Sequence, residues 1–261
     1  MPANYAHYRF GCQLLPTLPA NVRRPIQRFR RLFDMGLQGP DLFFYHNILT
    51  DDSLKKLAQK LHDMTGREFF TAVCRRLRTE PTEAGQAYLY GLLAHYCLDS
   101  ICHPAIGEMT ADGQIGHIEL ETEFDRYLLS LDGIAAPETF DNSPHMKLTK
   151  GECVTVASLY PSVTPGNVLQ SVKTFAAVTK LLAAPKEKQR RWMLSASKKV
   201  VPKFTPFIMG SQPNRRCSQL TETLKSLYDE AAALYPAMLE QLTAHMTYNA
   251  ALGEVFDKAF H

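Results

Sequence analysis

The 261-residue chain holds one tryptophan, Trp192, and no CxxC pair. No apolar run reaches the roughly 20 residues a membrane-spanning helix needs. The six cysteines, Cys12, Cys74, Cys97, Cys102, Cys153 and Cys217, are scattered. In a chain of this size that favours reduced thiols over a disulfide framework, with Cys97 and Cys102 read as core thiols rather than ligands. The start, Met1 to His7, lacks a basic segment followed by an apolar one. No signal peptide is therefore expected, and a cytoplasmic location is. Repeats, low-complexity tracts and strand-length alternation are also missing, which removes solenoid and sheet architectures. Charge of one sign is scarce overall, at a net +3 with a pI near 8.5. The excess is local: Arg23, Arg24, Arg28, Arg30 and Arg31 cluster early, and Lys198, Lys199 and Lys203 later. Such runs are read first as solvated faces. A stable nucleic-acid complex is not expected, and peripheral membrane contact stays open.

What is present is helical periodicity. Asp51-Asp52-Ser53 caps a run with Leu54, Leu57, Ala58 and Leu61 at helical spacing, and Phe69, Phe70, Val73 and Leu77 continue the pattern after Gly66. A long run from Thr82 to Cys102 is expected to stop at Pro104, because the residue before proline is pushed out of the α region. Another runs from Gly116 to Leu131. Residues 134–150 read as a loop, and helices resume over 151–159, 165–183, 186–200 and 218–256. The expected class is all-α, a single-domain multi-helix bundle. Residues 1–133 would form a metal-binding helical core and residues 134–261 the C-terminal helical part of the same domain.

The chemistry concentrates between Tyr88 and Asp125. His95, Asp99 and His103 recur every four residues, and so do His117 and Glu121. Side chains four apart on a helix share a face. Zinc accepts His nitrogen and carboxylate oxygen at about 2.0–2.2 Å. Five such groups within 27 residues point to a metal more than to isolated core hydrogen bonds, since a buried charge needs a partner. Weaker candidates are Asp41 and His46, after the Gly39-Pro40 turn, and His7. Glu119 and Asp125 could support the ligands from behind but read first as helix-surface charges, and Phe43, Phe44, Tyr45 and Tyr96 could wall the cleft but read first as core aromatics. His145, His245 and His261 have no partner at helical spacing and receive no role.

The order His7, Gly39-Pro40-Asp41, His46, His95-x-x-x-Asp99-x-x-x-His103-Pro104 and His117-x-x-x-Glu121 resembles the zinc-dependent phospholipase C family. That family shares a helical three-metal core with the single-strand-specific zinc nucleases. The resemblance covers His7 to about Asp125, and the chain from Ile134 onward does not match it. It implies a bundle of the phospholipase C and zinc nuclease type that hydrolyses phosphoesters. Asp41, His46, His95 and Asp99 would hold one zinc, with Asp99 bridging to a second; His103, His117 and Glu121 would hold another. His7 and Asp99 would contribute to the remaining site. Asp41 would also be a candidate general base. Secreted members complete one site with a processed N-terminal tryptophan, whereas the tryptophan of this chain is Trp192. Two zinc ions are therefore expected, with a third site around His7. Leu42 follows Asp41 where an aromatic would be expected for choline recognition, so the substrate is left as a phospholipid headgroup, a nucleotide or another small phosphoester.

Three other readings compete. His62-Asp63 supplies the adjacent pair of an HD-type metal phosphohydrolase, although His62 is expected on an exposed edge. The helical half could instead be a non-catalytic, metal-stabilised scaffold that binds a partner. The Arg23–Arg31 cluster could make the chain a peripheral lipid or nucleic-acid binder, which strong salt dependence would reveal.

Overall fold

Helix α6 (Glu83–Thr110) is apolar around most of its circumference, and such a helix is stable only when surrounded. The computed structural model, which describes residues 4–48, 50–183, 186–200 and 202–260, places it at the centre. Around it pack α1 (Asn4–Leu14), α2 (Ala20–Arg28), α3 (Arg30–Gly36) and α11 (Ser218–Tyr248). Helices α4 (Ser53–Asp63), α5 (Gly66–Thr79), α7 (His117–Leu131), α8 (Lys150–Ser158), α9 (Pro165–Leu182) and α10 (Glu187–Val200) complete the bundle. One hydrophobic core runs from Ala6 to Phe260, and Met193 and Ile208 form a small satellite. Among the described residues the β content is a single isolated bridge, Thr65 to Ala259. The all-α expectation holds.

Helices α3 and α6 touch through backbone. A Cβ added at Gly36 would lie 2.3 Å from the Tyr88 carbonyl oxygen, and one at Gly91 2.3 Å from that of Phe33. Just beyond α3, a 3-10 segment (Gly39–Tyr45) carries Asp41. Gly39 is required there twice over. Its φ is +55°, and a Cβ would fall 2.3 Å from the His95 ring.

Several expected boundaries change. Helices α1 to α3 were not anticipated: each is short, and Pro16, Pro19 and Pro25 interrupt the stretch. Pro104 does not end α6, which continues to Thr110. Proline deprives one carbonyl of its ladder bond at a cost of about 3 kcal/mol, and the surrounding packing offsets it. His103 Nδ1, one residue earlier, is fixed 2.7 Å from the Phe260 carbonyl oxygen. The expected run 218–256 breaks at Asn249, whose left-handed φ of 55° caps α11. A 3-10 turn then leads the tail back across the bundle. There Gly66 N–H donates to the Lys258 carbonyl, and Phe260 N–H to the His62 carbonyl.

The early arginines lie against acids: Arg28 with Glu83 at 2.7 Å, Arg30 with Asp34 at 2.5 Å and Arg31 with Glu152 at 2.9 Å. Three of the five arginines in the cluster are thus paired. All six cysteines are free thiols, five of them buried. Cys97 Sγ points 3.2 Å from the Ala231 carbonyl oxygen inside the core.

Candidate metal centre

Helical spacing aims most of the site. His95, Asp99 and His103 descend one face of α6, and His117, Glu121 and Asp125 repeat the same interval on α7. Helix α1 adds His7, the Gly39–Tyr45 segment adds Asp41, and α4 adds His62. Three groups each bring one ligand atom per residue within 4.8 Å: His7, His95 and Asp99; Asp41, His62 and His95; His103, His117 and Glu121.

Three imidazoles share one device. Nδ1 of His95 faces the Leu37 carbonyl oxygen at 3.2 Å, Nδ1 of His62 that of Ala58 at 2.7 Å, and Nδ1 of His103 that of Phe260 at 2.7 Å. A carbonyl accepts only, so each Nδ1 carries the proton, and a neutral ring then presents a lone pair at Nε2. Those Nε2 atoms face carboxylates: His62 to Asp41 at 2.8 Å, His95 to Asp99 at 3.0 Å, His103 to Glu121 at 3.2 Å. A lone pair facing a carboxylate is repulsive unless the ring is doubly protonated or a cation lies between them. His95 Nε2, fully buried, makes no aligned hydrogen bond despite its 3.0 Å approach. His7 Nδ1 is likewise buried with no hydrogen-bond partner among the described residues. Buried imidazolium–carboxylate pairs must also overcome a desolvation penalty of several kcal/mol per ion. The donor set therefore fits a cation, and nitrogen with carboxylate oxygen suits zinc.

The electrostatics favour ionised carboxylates, the form that binds a cation. Burial raises carboxylate pKa values, yet the rings of His95, His103 and His7 hold Asp99 well below the usual range. His103 and His117 act in the same direction on Glu121, and His62 and His95 on Asp41, adding to the positive charge of the chain's amino end. Burial pulls His103 down, but Asp99 and Glu121 overcome it and push it up to about 9. Asp99 spends its oxygens on different rings: Oδ1 lies 3.2 Å from His7 Nε2 and Oδ2 3.0 Å from His95 Nε2. His117 is the open edge, 3.5 Å from Glu121 with 43% of its side chain exposed.

Of the eight residues read from the sequence, seven come together: His7, Asp41, His95, Asp99, His103, His117 and Glu121. His46 does not. Its Nδ1 is 2.7 Å from Asp52 and its Nε2 3.3 Å from Asn167 Nδ2, and it belongs to none of the three groups among the described residues. The reason is local: Asp52 caps α4 through the N–H groups of Leu54 and Lys55, and its other oxygen holds the His46 ring. His62 stands beside Asp41 and His95 instead. Its expected exposure was wrong, because Leu54, Ala58, Leu61 and His62 form the buried stripe of α4. Asp63 turns outward to Gln59, so the adjacent His-Asp pair is split and the HD reading loses its motif.

The core reading of the aromatics holds for Tyr45 and Tyr96. Tyr45 stacks on Phe175 at 4.1 Å and Tyr96 donates to the Val255 and Lys258 carbonyls, both core roles. His145 stacks on Tyr8 at 3.9 Å, and His245 Nδ1 caps the end of α11 on the Ala250 carbonyl at 2.7 Å. His261 lies outside the described residues, as do residues 1–3 at the end of the chain nearest His7.

Asp125 is not a surface charge. It is buried one turn beyond Glu121 and accepts from the N–H groups of Tyr5 at 3.1 Å and Ala6 at 2.8 Å. These are first-turn donors of α1, which lack intrahelical partners. Asp125 thus seats the helix that carries His7. Asp125→Ala should cost about 1–3 kcal/mol by orphaning two donors, and should weaken metal binding at His7 before the other groups. The two donors meet different oxygens, so Asp125→Asn keeps an acceptor for one of them and should recover only part of both in denaturation and metal titration. Equal metal loss from all groups would refute the seating role.

A family model described as zinc dependent phospholipase C matches residues 6–161. No curated protein and no solved structure matches the chain.

Proposed function

The chain belongs to the zinc-dependent phospholipase C family, and from that premise we propose that it hydrolyses a phosphoester at the cluster formed by α1, α4, α6, α7 and the Gly39–Tyr45 segment. The observation that carries this reading is the row of imidazoles pinned at Nδ1 to carbonyls, with Nε2 turned onto buried carboxylates. Asp41, His62, His95 and Asp99 would hold one zinc, with Asp99 shared. His103, His117 and Glu121 would hold a second. His7, with Asp99 and His95, would contribute to a third. When bound, zinc makes a coordinated water acidic near neutral pH and offsets charge on the phosphoryl oxygens.

The side chains account for the remainder. Asp41 takes a proton from the attacking water as its oxygen bonds to phosphorus. The ester P–O bond breaks and the alcohol leaves with a proton from solvent. The Leu37, Ala58 and Phe260 carbonyls fix ring orientation, so little reorganisation accompanies the step. The exposed edge of His117 gives substrate its approach, which a closed structural site would not need.

The substrate would carry a hydrocarbon part. An apolar pocket of about 320 Å³ is lined by residues including Phe44, Tyr45, Ile118, Val178, Leu182 and Phe207. Ile118 directly follows His117, and the Phe44 ring is 5.5 Å from that of His62. This favours a phospholipid over a nucleotide. No helix among the described residues is long and apolar enough to cross a membrane.

The test is a panel of a short-chain phospholipid, a nucleotide and a sugar phosphate, each assayed with zinc and after chelation. Zinc-dependent release of phosphorylated headgroup from the phospholipid is expected to be fastest. A zinc-replete protein with no turnover on any phosphoester would support the partner-binding scaffold instead.

A further inference from the structure

Helix α10 is held by one side only. Arg190 and Met193 are buried, and Met193 packs with Ile208 against Leu182 and Leu194. Arg190 Nη1 lies 3.4 Å from Glu138, and Ser197 Oγ 2.9 Å from Thr205 Oγ1. The opposite side carries Lys188, Trp192, Ser195 and Lys199 at successive helical turns, flanked by Arg191 and Lys198, and all six are exposed. Glu187, the acid of this helix, sits on the flank near Arg190 and Arg191, at 3.2 and 3.9 Å.

A solvated face accounts for lysine and arginine but not for the tryptophan among them. Trp192 is 70% exposed, and leaving a large ring in water forgoes the burial that usually makes tryptophan worth having. An indole amid cations matches one environment closely. Tryptophan settles at the headgroup level of a bilayer, where its ring is shielded and its N–H stays wet. Basic residues on the same face meet the negative potential of anionic lipids. A nucleic acid would answer the charge, but one ring on a convex helix offers no groove to follow a strand.

We propose that the outer face of α10 docks on an anionic lipid surface, with Trp192 at the headgroup boundary and Lys188, Arg191, Lys198 and Lys199 against the lipid charges. The site is separate from the metal cluster and needs no turnover, so its failure and that of the hydrolase reading are distinguishable. Leu182, on which α10 packs, also lines the apolar pocket, so docking would bring that pocket towards the lipid.

Because Trp192 is the one tryptophan, intrinsic fluorescence reports directly on this face. The full chain, loaded with zinc, is mixed with phosphatidylcholine vesicles or with vesicles containing about one-third phosphatidylserine, and sedimentation is followed in parallel. The expected result is a blue shift and co-sedimentation with anionic vesicles alone, weakened by salt. Lys188→Glu with Lys199→Glu should lower partitioning about tenfold or more. Trp192→Ala should reduce sedimentation while leaving far-ultraviolet dichroism and zinc content unchanged. No shift with anionic vesicles, or binding indifferent to both variants, would overturn the proposal. Tighter binding to a labelled single-stranded oligonucleotide than to vesicles would also overturn it.

Discussion

Asp99→Ala should abolish phosphoesterase activity, by about 10²–10³-fold or more, and remove more zinc than any other single substitution in the cluster. Its carboxylate is buried, its two oxygens lie 3.2 and 3.0 Å from different imidazoles, and His103 Nδ1 is 3.9 Å away. Removing it strips negative charge from between three rings at once. Neighbouring lone pairs are then left facing each other in a site that water scarcely reaches. His7→Ala should do less, because His7 comes from α1 at the edge of the cluster and its Nε2 meets one oxygen of Asp99, at 3.2 Å. Zinc titration of both variants, beside activity on the same substrate, tests the difference. Equal losses would remove the sharing role from Asp99.

Replacement of His62 should be nearly as damaging, and replacement of His46 nearly silent. His62 Nε2 is 2.8 Å from Asp41 Oδ1, and its ring is held from behind by the Ala58 carbonyl. His62→Ala leaves Asp41 buried without its facing ring, so zinc bound with Asp41 and His95 should be lost along with most activity. His46 lies in a partly exposed pair with Asp52, of the kind worth about 0–1 kcal/mol. His46→Ala should shift unfolding by no more than that and leave zinc content unchanged. The reverse ranking in zinc content would restore the assignment of His46 that the family resemblance implies.

These two histidines mark where the sequence stops being legible. Helical spacing on one element carries far: His95, Asp99 and His103 on α6 and His117 with Glu121 on α7 could be read as faces, because four residues always make about one turn. The all-α class followed from the same periodicity. A ligand supplied by another element has no such ruler. His46 sits closer in sequence to Asp41, and only the burial of Leu54, Ala58 and Leu61 places His62 on the inner stripe of α4. That stripe was present in the sequence and could have identified His62. The Phe260 carbonyl that orients His103 gave no signal at all, since backbone oxygen has no residue signature and the contact spans the chain. Asp125 shows an intermediate case. Its interval from Glu121 was visible, but its partners, the first N–H groups of α1, required a helix whose sequence has little amphipathic pattern.

The central claim is that these side chains hold zinc. Metal content per chain, measured by inductively coupled plasma mass spectrometry on protein purified without a histidine tag, tests it most directly. The account predicts two or three equivalents of zinc, falling in Asp99→Ala and His62→Ala and unchanged in His46→Ala. Less than half an equivalent, persisting after zinc is added back and the excess removed, would contradict it and leave the buried imidazoles and carboxylates as ion pairs within a helical scaffold.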